Sequence, residues 1–319
     1  MRIARYEHHG FAHVGVIKHG QIHSLPTRLD VLEILALPPR ERDRLELQSG
    51  RYHRADLDTV RLLPPVEPRA MRDFVAFEAH IAGMKKSEGG SGEVPKEWYS
   101  APAFLFMNPW SLYGATDDIP MPPDTQALDF ELEVAAIIGK SARDVPGDVA
   151  GEYIAGYTIL NDWSARDIQG QEMKVGLGPS KGKDFANTLG PWITTPDELE
   201  PYRVDGRLSL DMSVAINGTI VGTDNSGNMS WTFEELLVHS ARGAVVGPGD
   251  VLASGTCSSG ALAETWSRTG TRTPPPLQVG DVVTMTIAGL GSIENRIVAA
   301  PASPDRVAPA QRRYSEDRL

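Results

Sequence analysis

LDFELEVAAIIG, residues 128–139, is the stretch on which the reading of this chain turns. Read as one β-strand, with successive side chains on opposite faces, it puts Asp129, Glu131 and Glu133 on one side and Phe130, Leu132 and Val134 on the other. Carboxylates two residues apart on a strand face stand about 7 Å from each other and repel unless a positive charge offsets them. The stretch offers no Lys or Arg before Lys140. A hard divalent cation with oxygen ligands would supply that charge. A half-exposed strand, or the charged face of a short helix, gives the same pattern without one.

Around this stretch the chain alternates strand-like runs with glycine and proline, at 103–107, 130–138, 157–160, 208–216, 251–254 and 281–287. Amphipathic helices are few, and 233–240 is the clearest. The pattern predicts a β-dominated mixed α/β fold rather than a doubly wound one. Toward the start, 11–17 and 21–25 flank Lys18-His19-Gly20, a hairpin turn, while 30–37 has helical spacing stopped by Pro38-Pro39. The proline-rich LLPPVEPRAM (62–71) suits a linker. The expected division is a small β-rich N-terminal domain over 1–65, a main domain over 66–300 and a flexible tail over 301–319. The Gly/Ser/Lys/Glu-rich segment 84–98 suits a lid or an insert.

Composition narrows the function classes. A net charge of −11 argues against a nucleic-acid or anionic-membrane surface, which needs a basic face. The single cysteine, Cys257, leaves no internal disulfide and fits a reducing cytoplasm. No apolar run reaches the roughly 18–20 residues that cross a bilayer, and the charged start MRIARYEHHG lacks a signal-type apolar stretch. A cytoplasmic protein that acts on a small molecule is the expectation. Five histidines fall within the first 23 residues, but no cysteine or carboxylate pattern completes a zinc set, so they read as structural.

Two further segments carry candidate chemistry. GYTILNDWSARDIQ (156–169) reads as a strand running into Asn161-Asp162 and then a short helix, which delivers Asp162 from a strand end or merely caps the helix. GLGPSKGKDFANTLGPW (176–192) holds Lys183 in a glycine loop. It is not a phosphate loop, because Leu177 stands where glycine is needed and Asp184 where Ser or Thr should follow the lysine. Ser180 and Lys183 mimic an S-x-x-K pair, but no K-T-G accompanies it.

NDWSARDIQ, the E-x-E of DFELEVAAIIG, the GKDF lysine and SGTC…LAETW, in this order, resemble the fumarylacetoacetate hydrolase superfamily over about residues 66 to 300. The resemblance implies a β-roll catalytic domain, a homodimer, and cleavage or rearrangement of 2,4-dioxo or 3-oxo acids. It also implies a Mg²⁺ site, alternatively Ca²⁺ or Mn²⁺, held by Glu131, Glu133 and Asp162, with Lys183 beside the metal. Arg166, Gln169 and Thr256 match positions that line the substrate. RDFVAFEAHIAG (72–83) is more similar to the fumarylacetoacetase branch. There Asp73 matches a fourth carboxylate ligand, His80 the general base and Glu264 its partner. The acylpyruvase branch places a glutamate three residues after the histidine, where this chain has Gly83, and Asn187 stands where a threonine is expected. The implied reaction is metal-assisted hydrolysis of a C–C bond in a small oxo acid. Decarboxylation, hydration or isomerisation on the same fold is the alternative.

Overall fold

A computed structural model of the protein describes residues 1–51, 53–87, 92–300, 302 and 307–311. Most of the expected tail, and 88–91 of the 84–98 segment, lie outside the described residues. At the N-terminus Arg2–His8, Phe11–Lys18 and Gln21–Ser24 pair antiparallel in sequence order. His19 and Gly20 take φ values of 50° and 77°, the backbone hand that joins two twisted strands through a two-residue turn. Helix Val31–Ala36 starts on a reciprocal capping box between Asp30 and Glu33. It ends before Pro38 as expected, but Pro39 opens a second helix, Pro39–Leu47, instead of halting helical structure. In a first turn the missing N–H of proline costs nothing, because that donor has no partner within the helix.

One twelve-stranded sheet dominates the described residues. Its main path runs Arg54–Asp56, Gln21–Ser24, Phe11–Lys18, Arg2–His8, Asn187–Thr194, Ile154–Asp162, Leu132–Ile138, Val251–Ala253, Met71–Phe74, Phe104–Met107. Arg2–His8 pairs with Asn187–Thr194, so the N-terminal strands extend the sheet of the main body. A five-stranded sheet (Thr219–Asn225, Asp211–Ile216, Val282–Ile287, Gly291–Val298, Ile119–Pro120) shares a core with it. The fold is mixed α/β and strand-dominated. No described helix is long and apolar enough to cross a membrane.

The stretch 128–139 is not one strand. Leu128–Asp129 pairs with Ser164–Ala165, and Leu132–Ile138 is a separate strand between Ile154–Asp162 and Val251–Ala253. Leu132, Val134, Ala136 and Ile138 enter the core shared by the two sheets, whereas Ala135 and Ile137 enter a second core with Val31 and Ile34. Cover on both faces explains why the run reads as nearly continuous apolar sequence. The break at Phe130–Glu131 separates Asp129 from the two glutamates, so the expected row of three carboxylates does not form.

Candidate active site

Four neighbouring strands bring the acidic residues together. In the sheet order Ile154–Asp162, Leu132–Ile138, Val251–Ala253, Met71–Phe74, they carry Asp162, Glu133, the loop after Ala253, and Asp73. Glu131 is fixed through its backbone: its N–H donates to Asn161 Oδ1 at 3.0 Å, and its carbonyl accepts from the Asp162 N–H at 3.2 Å. Asp73, Glu131 and Glu133, all buried, each offer an oxygen within 4.8 Å of the others. Asp162 stands outside that trio but shares a cation with it. Lys183 Nζ donates to Glu131 Oε2 at 2.5 Å and to Asp162 Oδ2.

Arg166, expected to line the substrate, is held here as a buried clamp. Its guanidinium bonds Asp129 through Nε and Glu131 through Nη1, both at 2.8 Å, and Nη1 also donates to Gln169 Oε1 at 3.1 Å. Gly255 N donates to Glu133 Oε2 at 3.2 Å, and Thr256 Oγ1 lies 3.5 Å from its other oxygen. Asn187 is buried and donates to the Asn108 carbonyl.

Five buried carboxylates (Asp73, Asp129, Glu131, Glu133 and Asp162) therefore face two cations, Arg166 and Lys183. Burial would raise Glu131, but the charges of Lys183 and Arg166 outweigh it and hold its carboxyl well below the usual range. Burial, then neighbouring carboxylates, push Glu133 well up. Asp162 is also raised, with burial outweighing the nearby Lys183. Asp73 is pushed up to about 6, by burial first. Asp73 Oδ1 and Asp162 Oδ1 are buried with no hydrogen-bond partner. Orphaned acceptors, surplus negative charge and an all-oxygen donor set fit a hard divalent cation of the Mg²⁺, Ca²⁺ or Mn²⁺ type.

Metal binding should therefore be steeply pH-dependent. A raised folded pKa means that the Asp73 contribution to metal-free stability is present below its unfolded value and lost as pH rises through about 6. Metal binding needs the carboxylates ionised and works in the opposite direction. The gain in Tm on adding Mg²⁺ or Mn²⁺ should be larger at pH 7.5 than at pH 5.5. An equal gain at both pH values would remove these carboxylates from the metal site.

Beside the carboxylates lies a second unit. His80, on helix Glu78–Ser87, places Nδ1 3.1 Å from Oε2 of Glu264, on helix Leu262–Thr269, and both side chains are buried. Glu264 also accepts from Ser258 Oγ at 3.3 Å and from Ser259 N at 2.8 Å. An ionised carboxylate only accepts, so Nδ1 is the donor in this pair, and in the neutral ring that tautomer keeps the lone pair on Nε2. Ser259 holds φ at 60°, a costly conformation for a non-glycine residue, and its N–H is one of the groups aimed at Glu264. Gly83 fits the same geometry, because a Cβ there would stand 2.5 Å from Glu264 Cγ. The space that a residue-83 side chain would need is taken by the carboxylate from late in the chain.

The sequence reading missed Ser258, Ser259 and the role of Asn161. Ser259 acts through its backbone N–H, which leaves no mark on residue type, whereas Ser258 and Asn161 act through a hydroxyl and an amide that are common in any loop or strand end. Cys257 is buried, and burial pushes its thiol well up, so it is no nucleophile. Among the described residues no histidine joins the acidic trio; His8 stacks on His53 with ring centres 3.9 Å apart.

The fumarylacetoacetate (FAA) hydrolase C-terminal family matches residues 69–298, and the chain belongs to that family. The fumarylacetoacetase of Arabidopsis thaliana is 28% identical over 326 residues, covering 82% of this chain and 76% of that protein. The mitochondrial oxaloacetate tautomerase of Rattus norvegicus is 33% identical over 192 residues, 59% of this chain and 56% of its own length. The solved fumarylacetoacetate hydrolase of Exiguobacterium antarcticum superposes with a TM-score of 0.72 at 28% identity, over 94% of this chain and 99% of that one. The family thus includes both hydrolases and tautomerases.

Proposed function

We propose that this protein is a divalent-metal-dependent hydrolase that cleaves a C–C bond in a 2,4-dioxo acid of the acylpyruvate or fumarylacetoacetate type. The observation that carries the reading is the buried His80–Glu264 pair beside an all-carboxylate cluster. Asp73, Glu131 and Glu133 would hold the cation, with Asp162 as a further carboxylate at its edge. When bound, a divalent cation supplies Lewis-acid polarisation of the dicarbonyl oxygens.

The residues of the chain do the rest. Glu264 holds the Nδ1–H and stabilises the imidazolium that forms. His80 Nε2 takes a proton from water, and the hydroxide adds to the acyl carbonyl carbon. The C–C bond breaks, its electron pair passes to the departing carbon, and that carbon receives the proton back from His80. Lys183, held cationic because Asp162 and Glu131 outweigh the effect of its burial, contributes positive charge where oxygen becomes anionic.

A second reading is tautomerisation of an oxo acid, favoured by the identity to the rat tautomerase. There His80 would move a proton at carbon with no bond cleaved. Initial rates on an acylpyruvate and on oxaloacetate, with Mg²⁺ and with chelator, separate the two. Stoichiometric pyruvate and carboxylic acid from the acylpyruvate is the expected result. Oxaloacetate tautomerisation without acylpyruvate cleavage would overturn the hydrolase.

A further inference from the structure

Asp129 is outside both the close acidic trio and the His80–Glu264 pair, yet it is bonded to a neighbour of each. Its carboxylate is fully buried. Oδ2 accepts from Arg166 Nε at 2.8 Å, and the same guanidinium holds Glu131 Oε1 at 2.8 Å. On its other side Asp129 reaches the start of helix Leu262–Thr269. Oδ1 accepts from Leu262 N at 2.8 Å and Oδ2 from Ala263 N at 2.9 Å. That helix begins after Ala261, which has no side chain able to cap it. Its third residue is Glu264, the partner of His80. A carboxylate from a distant strand thus does what an N-cap side chain does, satisfying two orphan N–H groups and meeting the positive end of the helix.

We propose that Asp129 is a positioning residue that links the two halves of the site, setting Glu131 through Arg166 and setting Glu264 against His80 through the helix N-terminus. The inference rests on the hydrolase reading above for its effect on turnover, whereas its effect on metal binding needs only the carboxylate cluster as the cation site. The break between Leu128–Asp129 and Leu132–Ile138 is what makes the link possible. A continuous strand would keep Asp129 in the row with Glu131, whereas the separate pairing with Ser164–Ala165 brings it to Arg166 and to the helix.

Asp129→Asn tests the link with little change of shape. Each carboxylate oxygen accepts two hydrogen bonds, from Phe130 N and Leu262 N on Oδ1 and from Arg166 Nε and Ala263 N on Oδ2. Either amide orientation therefore sets an NH₂ against two donors. Two measurements read the outcome. Mn²⁺ affinity by electron paramagnetic resonance, without substrate, should fall about tenfold, the lower end of the effect of losing an outer-shell partner, because Asp129 acts on Glu131 through Arg166. For kcat on an acylpyruvate, Asp129→Asn should lose about tenfold or more in the wild-type background. In His80→Ala it should lose only about two- to threefold further, because residues acting through one unit are not additive.

A merely structural role would lower Tm, leave Mn²⁺ affinity unchanged and give additive losses in kcat; that combination overturns the proposal. If the wild type cleaves no acylpyruvate, the hydrolase reading fails and Mn²⁺ affinity alone decides, with an unchanged value overturning the link. Should Asp129→Asn not fold, Arg166→Lys breaks the guanidinium bridge between Asp129 and Glu131 while keeping the helix cap, and it must lower Mn²⁺ affinity or the proposal falls.

Discussion

Glu131→Ala should reduce turnover to below about one thousandth of wild type and abolish Mg²⁺ binding in the millimolar range. Lewis-acid stabilisation is worth several kcal/mol, and each 1.36 kcal/mol is a factor of ten in rate. Glu131 is the hub of the cluster, because it belongs to the close trio and also accepts from Lys183 and Arg166. Its loss leaves two buried cations with one carboxylate partner fewer. Breaking a buried pair in this way costs about 3–5 kcal/mol. The surplus of carboxylates in the metal-free site offsets part of that cost, so a folded variant with a lower Tm is expected. Calorimetric titration with Mg²⁺, circular dichroism and kcat on the same preparation read all three effects. Wild-type metal affinity in a folded Glu131→Ala protein would remove this residue from the site.

His80→Ala should separate metal binding from chemistry. Loss of a general base costs about 10²–10⁴-fold in kcat. Metal affinity should stay at the wild-type value, because no member of the close trio is touched. The substitution should also fold, since Glu264 keeps its bonds from Ser258 and Ser259 and so is not left buried without donors. If His80→Ala turns over an acylpyruvate at near wild-type rate, His80 has no part in hydrolysis.

How much of this was legible in the sequence differs from element to element. The hairpin at His19-Gly20 and the helix capped by Asp30 and Glu33 follow from local chemistry, and the sequence placed both. The helix Pro39–Leu47 was missed because two adjacent prolines carry opposite messages, one ending a helix and one starting the next. Strand alternation was the wrong guide at 128–139. The strand pairs change at Phe130–Glu131, and no side chain there announces it. The family motifs named Glu131, Glu133 and Asp162 as the metal set with Asp73 as a fourth carboxylate, whereas the close trio is Asp73, Glu131 and Glu133, with Asp162 joined to Glu131 through Lys183; His80 stands against Glu264. Only the fold could show that Arg166 spends its guanidinium on Asp129 and Glu131, and that Asp129 caps a helix through N–H groups 133 and 134 positions further along the chain. Long-range capping of this kind leaves no periodicity and no local motif to read.

Anomalous diffraction from a Mn²⁺-soaked crystal shows whether the carboxylate cluster holds a divalent cation beside the His80–Glu264 pair. One strong peak is expected, with oxygens of Asp73, Glu131 and Glu133 about 2.0–2.6 Å away. Crystals that diffract well and show no peak there, with Lys183 still bridging Glu131 and Asp162, would contradict it.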